Sequence, residues 1–128
     1  MEGTENMTFG EFLKAKRKEK RITLRRFCEV AGADPGNVSK IENSVFNPPQ
    51  KEDILRRYAE AVQIEYGSDE WMLFSDMASA QAGKIPSDLM KSKENTLILP
   101  MLFRTIRNER PSTDDLRRVL DYLNKDQN

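Results

Sequence analysis

The sequence predicts an all-α protein, and three observations carry that prediction. Apolar residues recur at helical spacing: Leu24, Phe27, Cys28 and Ala31 are i, i+3, i+4 and i+7 of one face. Ser, Thr or Asp precedes most of these stretches, and Gly or Pro follows them, as helix starts and stops require. No stretch alternates apolar and polar residues as a half-buried strand would, and no repeat or low-complexity segment interrupts the pattern.

Each element follows in order. Met1 to Met7 lack pattern and read as a disordered start. Thr8 can cap a first helix, which runs to about Lys20 with Phe9, Phe12 and Leu13 inward. Thr23 is the N-cap of a second helix that Gly32 ends, where a residue tolerant of positive φ is needed. Asp34 and Pro35 restart the chain as N-cap and first residue of a third helix, to Asn43, with Val38 and Ile41 inward. Ser44 to Gln50 is an extended loop, because Pro48 and Pro49 disfavour helix before them.

A fourth helix from about Lys51 carries Ile54, Leu55, Tyr58, Ala59 and Val62 on one face. Gly67 ends a turn and Ser68 caps a fifth helix with Trp71, Phe74, Ser75, Ala78 and Ala82 at helical spacing, stopped by Gly83. Asp69 and Glu70 in its first turn suit the helix dipole. Ile85 to Met90 is a short segment around Pro86. Thr96 to Ile106 is apolar and reads as helix, with Pro100 removing one backbone bond and marking a candidate start. After Pro111, Ser112 or Thr113 caps a last helix with Leu116, Val119, Leu120 and Leu123 inward.

The chain has 128 residues, enough for one domain or a small domain with an extension. Charged residues are 33% and apolar residues 38%, with no apolar run of bilayer length and no signal-peptide pattern after Met1. One cysteine and no histidine exclude a disulfide framework and a Cys/His zinc site. Cys28 reads as a small core residue. A cytoplasmic location and no cofactor or metal are expected. No nucleophile with a base, glycine-rich phosphate loop or paired metal carboxylates at known spacing is present, so no enzyme is expected. Asp114 and Asp115 read as helix N-terminal carboxylates.

Lysine and arginine balance aspartate and glutamate at 21 each, but not evenly along the chain. Lys14, Lys16, Arg17, Lys18, Lys20, Arg21, Arg25 and Arg26 crowd the stretch from Leu13 to Arg26, opposed only by Glu19. From Ala59 to Gly83 there is no Lys or Arg, but there are Glu60, Glu65, Asp69, Glu70 and Asp76. A basic face beside an acidic body follows. The basic part overlaps two short helices joined by a glycine turn, an arrangement suited to reading DNA.

Residues Phe12 to Pro48 resemble the helix-turn-helix domain of the XRE family, the group of phage repressors and Cro proteins. Thr23 matches the Ser or Thr before the second helix. Phe27 and Cys28 match the usual Leu and Ala at the helix crossing, and Gly32 matches the turn glycine. Val38-Ser39-Lys40-Ile41-Glu42-Asn43 matches the third-helix pattern, and Asn47-Pro48 the loop after it. Ser44 departs from the family, which usually has Gly there, so a positive φ at Ser44 would be strained. The resemblance implies a four- to five-helix Cro/repressor-like DNA-binding domain at residues 1–66, with an additional α-helical C-terminal extension at 67–128. It also implies that Glu42 pairs with Arg17 on the first helix.

The partners expected are double-stranded DNA, a second copy of the chain, and no membrane. The resemblance puts base readers at Pro35, Gly36 and Lys40. Pro35 can touch a thymine methyl and Gly36 can admit a close backbone. Lys40 can reach guanine O6 and N7, and Asn37 adenine N6 and N7. Ser39 shares the outward face. Thr23, Arg25, Asn43 and Asn47 are placed for phosphate, with Arg26 beside them. Trp71, Met72, Phe74, Met101 and Phe103 are a candidate dimer or partner surface. The expected role is a dimeric repressor. The alternative is an antitoxin that regulates its own operon and neutralises a toxin through its C-terminal half.

Overall fold

The computed structural model describes residues 7–107, with 112–114, 117–118 and 121. The described residues are all helical in their regular structure. The order is α1 (Phe9–Glu19), α2 (Leu24–Ala31), α3 (Pro35–Glu42), α4 (Glu52–Ala61), α5 (Asp69–Gln81), a 3-10 turn (Ser87–Lys91) and α6 (Lys93–Arg107). The patternless start up to residue 6 and the inward face of the last helix, Leu116 to Leu123, lie outside the described residues. Met7 is described and packs on the core.

Short polar side chains set the helix starts. Thr8 Oγ1 accepts from the Glu11 amide, and the Glu11 carboxylate accepts from the Thr8 amide at 2.9 Å, a reciprocal pair that satisfies two end donors. The same Thr8 bond holds the Glu11 carboxyl below its usual pKa. Thr23 accepts from Arg26, Asp34 from Asn37 and Ser68 from Trp71, each at the third helical amide. Lys51, which starts α4, has no side chain able to accept, and α4 relies on Glu52 and Asp53 in its first turn.

The chain forms two compact units, divided after Lys84. In the first, α2 packs on α3 and α4, α1 on α3 and α5, and α4 on α5. Their shared core holds Phe9, Phe12, Leu13, Phe27, Val38, Leu55, Val62, Trp71 and Phe74. Phe74 lies 4.8 Å from Phe9 between ring centroids, and Phe27 meets Tyr58 edge-on at 5.1 Å. These rings correct the expected division at residues 66 and 67. Helix α5 completes the core of the first unit, because Trp71, Phe74 and Ala78 fill it.

Gly10 decides how closely α1 meets α3. A Cβ there would lie 2.7 Å from the Glu42 carbonyl oxygen and closer still to that of Ile41. Only a residue without a side chain lets the two backbones touch.

In the second unit the 3-10 turn packs on α6. Asn95 Nδ2 donates to the Leu89 carbonyl at 3.0 Å and ties them together. Helix α6 passes through Pro100 and starts at Lys93, so Pro100 is interior rather than a start. The ring costs one bond, to the carbonyl of Thr96, and the helix continues on both sides.

Candidate nucleic-acid interface

The site is built on α2, the turn at Gly32 and α3. Gly32 takes φ 67° and ψ 39°, and Ala33 donates back to the Cys28 carbonyl at 3.0 Å. Pro35 supplies a fixed φ to the first residue of α3, beside the Asp34 cap. Val38 and Ile41 are buried, so the opposite side of α3 faces outward. Pro35, Gly36, Asn37, Lys40 and the following Asn43 are exposed there, and Ser39 is half-buried. A side chain on Gly36 would press the Asp34 carboxylate, 3.1 Å from its Cβ, so the front of the helix presents bare backbone.

Glu42 is the one buried charged residue among those described, at 5% exposure. The structure brings Arg17 to it. Arg17 Nε donates to Oε2 at 2.9 Å and Nη2 to Oε1 at 3.1 Å, while Nη1 donates to the Ile22 carbonyl at 3.0 Å. The planar fork therefore fixes α1, the α1–α2 connection and α3 at one point. Hydrogen bonding to Glu42 holds the guanidinium more firmly charged than usual, against the cost of burial. Cys28 lies in the core close by, and burial pushes its thiol pKa up, so it is an inert packing residue.

The basic residues divide by role. Lys16 turns to α5, where it pairs with Glu70 and, at 3.2 Å, with Glu19 on its own helix. Burial alone would lower its pKa, but the two carboxylates outweigh burial and raise it. Arg25 and Arg26 remain on the surface, Arg25 at 90% side-chain exposure, and both lean on Glu29 at 3.4 Å. Exposed pairs of this kind are weak, so both guanidinium groups remain accessible. Lys18, Lys20, Arg21 and Thr23 are exposed as well, and Lys14 is half-buried.

Beyond α3, Ser44 adopts φ 62°, in the left-handed region. Its amide donates to the Ile41 carbonyl at 3.0 Å, and the Val45 amide to Lys40 at 2.7 Å, a complete Schellman turn with serine in the glycine position. Val45 and Phe46 emerge exposed beside α3, at 68% and 41%. The Lys40 ammonium lies over the Phe46 ring, 4.8 Å from its centre. Asn47 is exposed and Pro48 is buried. Sequence reasoning missed Phe46. An apolar pair in a polar loop, six residues after an outward lysine across a chain reversal, is the signal that could have found it.

Of the residues expected on a dimer or partner surface, Trp71 and Phe74 are core, which corrects their assignment. Met72 is exposed on α5, and Met101 and Phe103 are exposed on α6. Among the described residues no cluster of three His, Cys, Asp or Glu side chains could hold a metal, and no helix is long and apolar enough to cross a membrane.

Part of the chain is similar to a protein named for a helix-turn-helix. Over 59 residues the chain is 34% identical to the HTH-type transcriptional repressor RghR of Bacillus subtilis (strain 168). The match takes in 46% of this chain and 43% of that protein, so the chain spans less than half the relative's length. No family model matches the chain, and no solved structure matches it.

Proposed function

We propose that this chain is a sequence-specific, DNA-binding transcription regulator of the XRE type, acting as a repressor, with α3 in the major groove. The observation that carries this reading is the mounting of α3. It is locked from behind by the Arg17–Glu42 fork, and its front face is left open beside exposed basic residues. A helix held rigidly by one side, with polar groups on the other, is what base readout requires. Similarity to a protein named a helix-turn-helix repressor supports it. Lys40 and Asn37 read bases, and Thr23, Arg25, Arg26, Asn43 and Asn47 lie toward phosphate.

One such unit spans few base pairs, so the protein acts as a homodimer on two half-sites about 34 Å apart. Leu97, Phe103 and Ile106, exposed on α6, support a second copy as the occupant of that surface. The same apolar surface supports the antitoxin reading, in which a toxin takes the place of the second copy. A neighbouring short reading frame that is toxic when expressed alone favours the antitoxin reading, and its absence counts against it; solution mass of the purified chain settles monomer against dimer.

The test is a mobility-shift titration of DNA upstream of the chain's own gene, at low and moderate salt. Binding falls by about 10³-fold or more between 50 and 200 mM salt if six or more phosphates are neutralised. Arg25→Ala weakens all sequences alike, whereas Lys40→Ala narrows the gap between target and random DNA. No shift at low salt on any upstream fragment sinks the reading.

A further inference from the structure

Lysine is a poor base reader when left to itself, because its long stem has much rotamer freedom to lose and its ammonium accepts any direction. Lys40 is not left to itself. We propose that Phe46 is a positioning residue for Lys40, holding its ammonium on one side of α3 so that it discriminates guanine at a single position of each half-site. This inference rests on the reading of the chain as a sequence-specific DNA-binding protein.

Four observations support it. The ring lies 4.8 Å from the Lys40 ammonium, within the range of a cation–π attraction. The Phe46 amide itself donates to the Lys40 carbonyl at 3.1 Å, so ring and ammonium belong to the same two residues twice over. The loop that carries the ring is tied at both ends. At its start Ser44 Oγ meets Thr8 Oγ1 at 3.1 Å. At its far end the Gln50 side chain donates to the carbonyls of Pro48 and Ala78, each at 3.1 Å. Finally, Phe46 is 41% exposed, so its ring is not consumed by the core. A fixed ring on one flank leaves the donors that do not face it free on the other, toward a guanine edge.

The experiment is selection of duplex sites from a random library by the full chain, followed by titration of the selected site and its single-base variants. The wild type is compared with Lys40→Ala, Phe46→Leu and Phe46→Tyr, with a thermal melt of each. Lys40→Ala is expected to lose guanine preference at one position per half-site. Phe46→Leu loses about two- to fivefold of that same preference, the worth of an exposed cation–π contact, and no other. Phe46→Tyr, which keeps an aromatic face, retains it. An unchanged guanine preference in Phe46→Leu overturns the proposal. So does equal weakening on every sequence, the mark of a merely structural role, or a stronger preference, which would mean that the ring competes with the base. Should Phe46→Leu fail to fold, loss of the preference in Phe46→Tyr overturns it equally. A wild type that selects no site ends the functional reading. A selected site indifferent to Lys40→Ala leaves that reading standing and ends this proposal alone.

Discussion

Phe74 and Phe103 sit on helices of similar length, 13 residues in α5 and 15 in α6, and the chain uses them in opposite ways. Phe74 is completely buried against Phe9, Phe12 and Trp71. Phe103 is 41% exposed, and Leu97, Met101 and Ile106 on the same helix are exposed with it. Of the described residues of α6, only Ile98 is buried. The first unit spends its apolar side chains on one interior that fixes the attitude of α3. The second leaves these four on the surface, open to the association proposed above.

The sharpest way to break this contrast is to remove the two rings separately. Phe74→Ala is expected to cost about 3–5 kcal/mol of unfolding free energy, the usual range for a buried aromatic. Phe103→Ala in dilute protein changes it by less than about 0.5 kcal/mol. Urea titration followed by the fluorescence of Trp71, the single tryptophan, reads the first unit directly. Equal losses for the two variants would erase the distinction between the units.

The next test asks whether the first unit depends on charge as well as on apolar burial. Arg17→Met alone leaves the Glu42 carboxylate buried without its partner and is expected to cost about 3–5 kcal/mol. Adding Glu42→Leu returns most of the loss, since the pair is then replaced by apolar groups of similar volume. A double variant as unstable as the single one would show that the fork contributes something packing cannot replace. A smaller effect than at Phe74 or Arg17 is expected at Ser44, which holds a left-handed backbone. Ser44→Gly removes that strain and raises stability by about 1 kcal/mol, less whatever the Thr8 contact and glycine's extra chain entropy cost. A lower melting temperature would mean that the Thr8–Ser44 hydroxyl contact outweighs the strain.

Much of the first unit is readable in its residues because its helix ends are set locally. Thr8, Thr23, Asp34-Pro35 and Ser68 each cap a helix through an amide three positions on, a relation confined to one short segment. The outward and inward sides of α3 are readable for the same reason, since a 3.6-residue period sorts them. Partition between units is different. Nothing local in Trp71, Phe74 and Ala78 says whether their stripe meets α1 or a second protein, and apolar residues at helical spacing serve both. Phe46 was hidden for a similar reason. Its partner lies across a turn whose left-handed residue is Ser44, and serine gives no warning of positive φ. At Pro100 residue type misled, because the rest of α6 tolerates one missing bond.

Gly10 carries a last consequence. The close approach it allows is to the carbonyls of Ile41 and Glu42, atoms that every amino acid possesses. The seat of α3 on α1 is thus indifferent to which side chains α3 displays at its front. Positions 37 and 40, exposed and clear of that contact, are free to diverge, generation by generation, without disturbing the mount. On the proposed reading, a lineage built on this chain acquires new targets by changing a few surface letters, whereas among the described glycines Gly10 is the one whose added methyl group would meet backbone and push α3 off its seat.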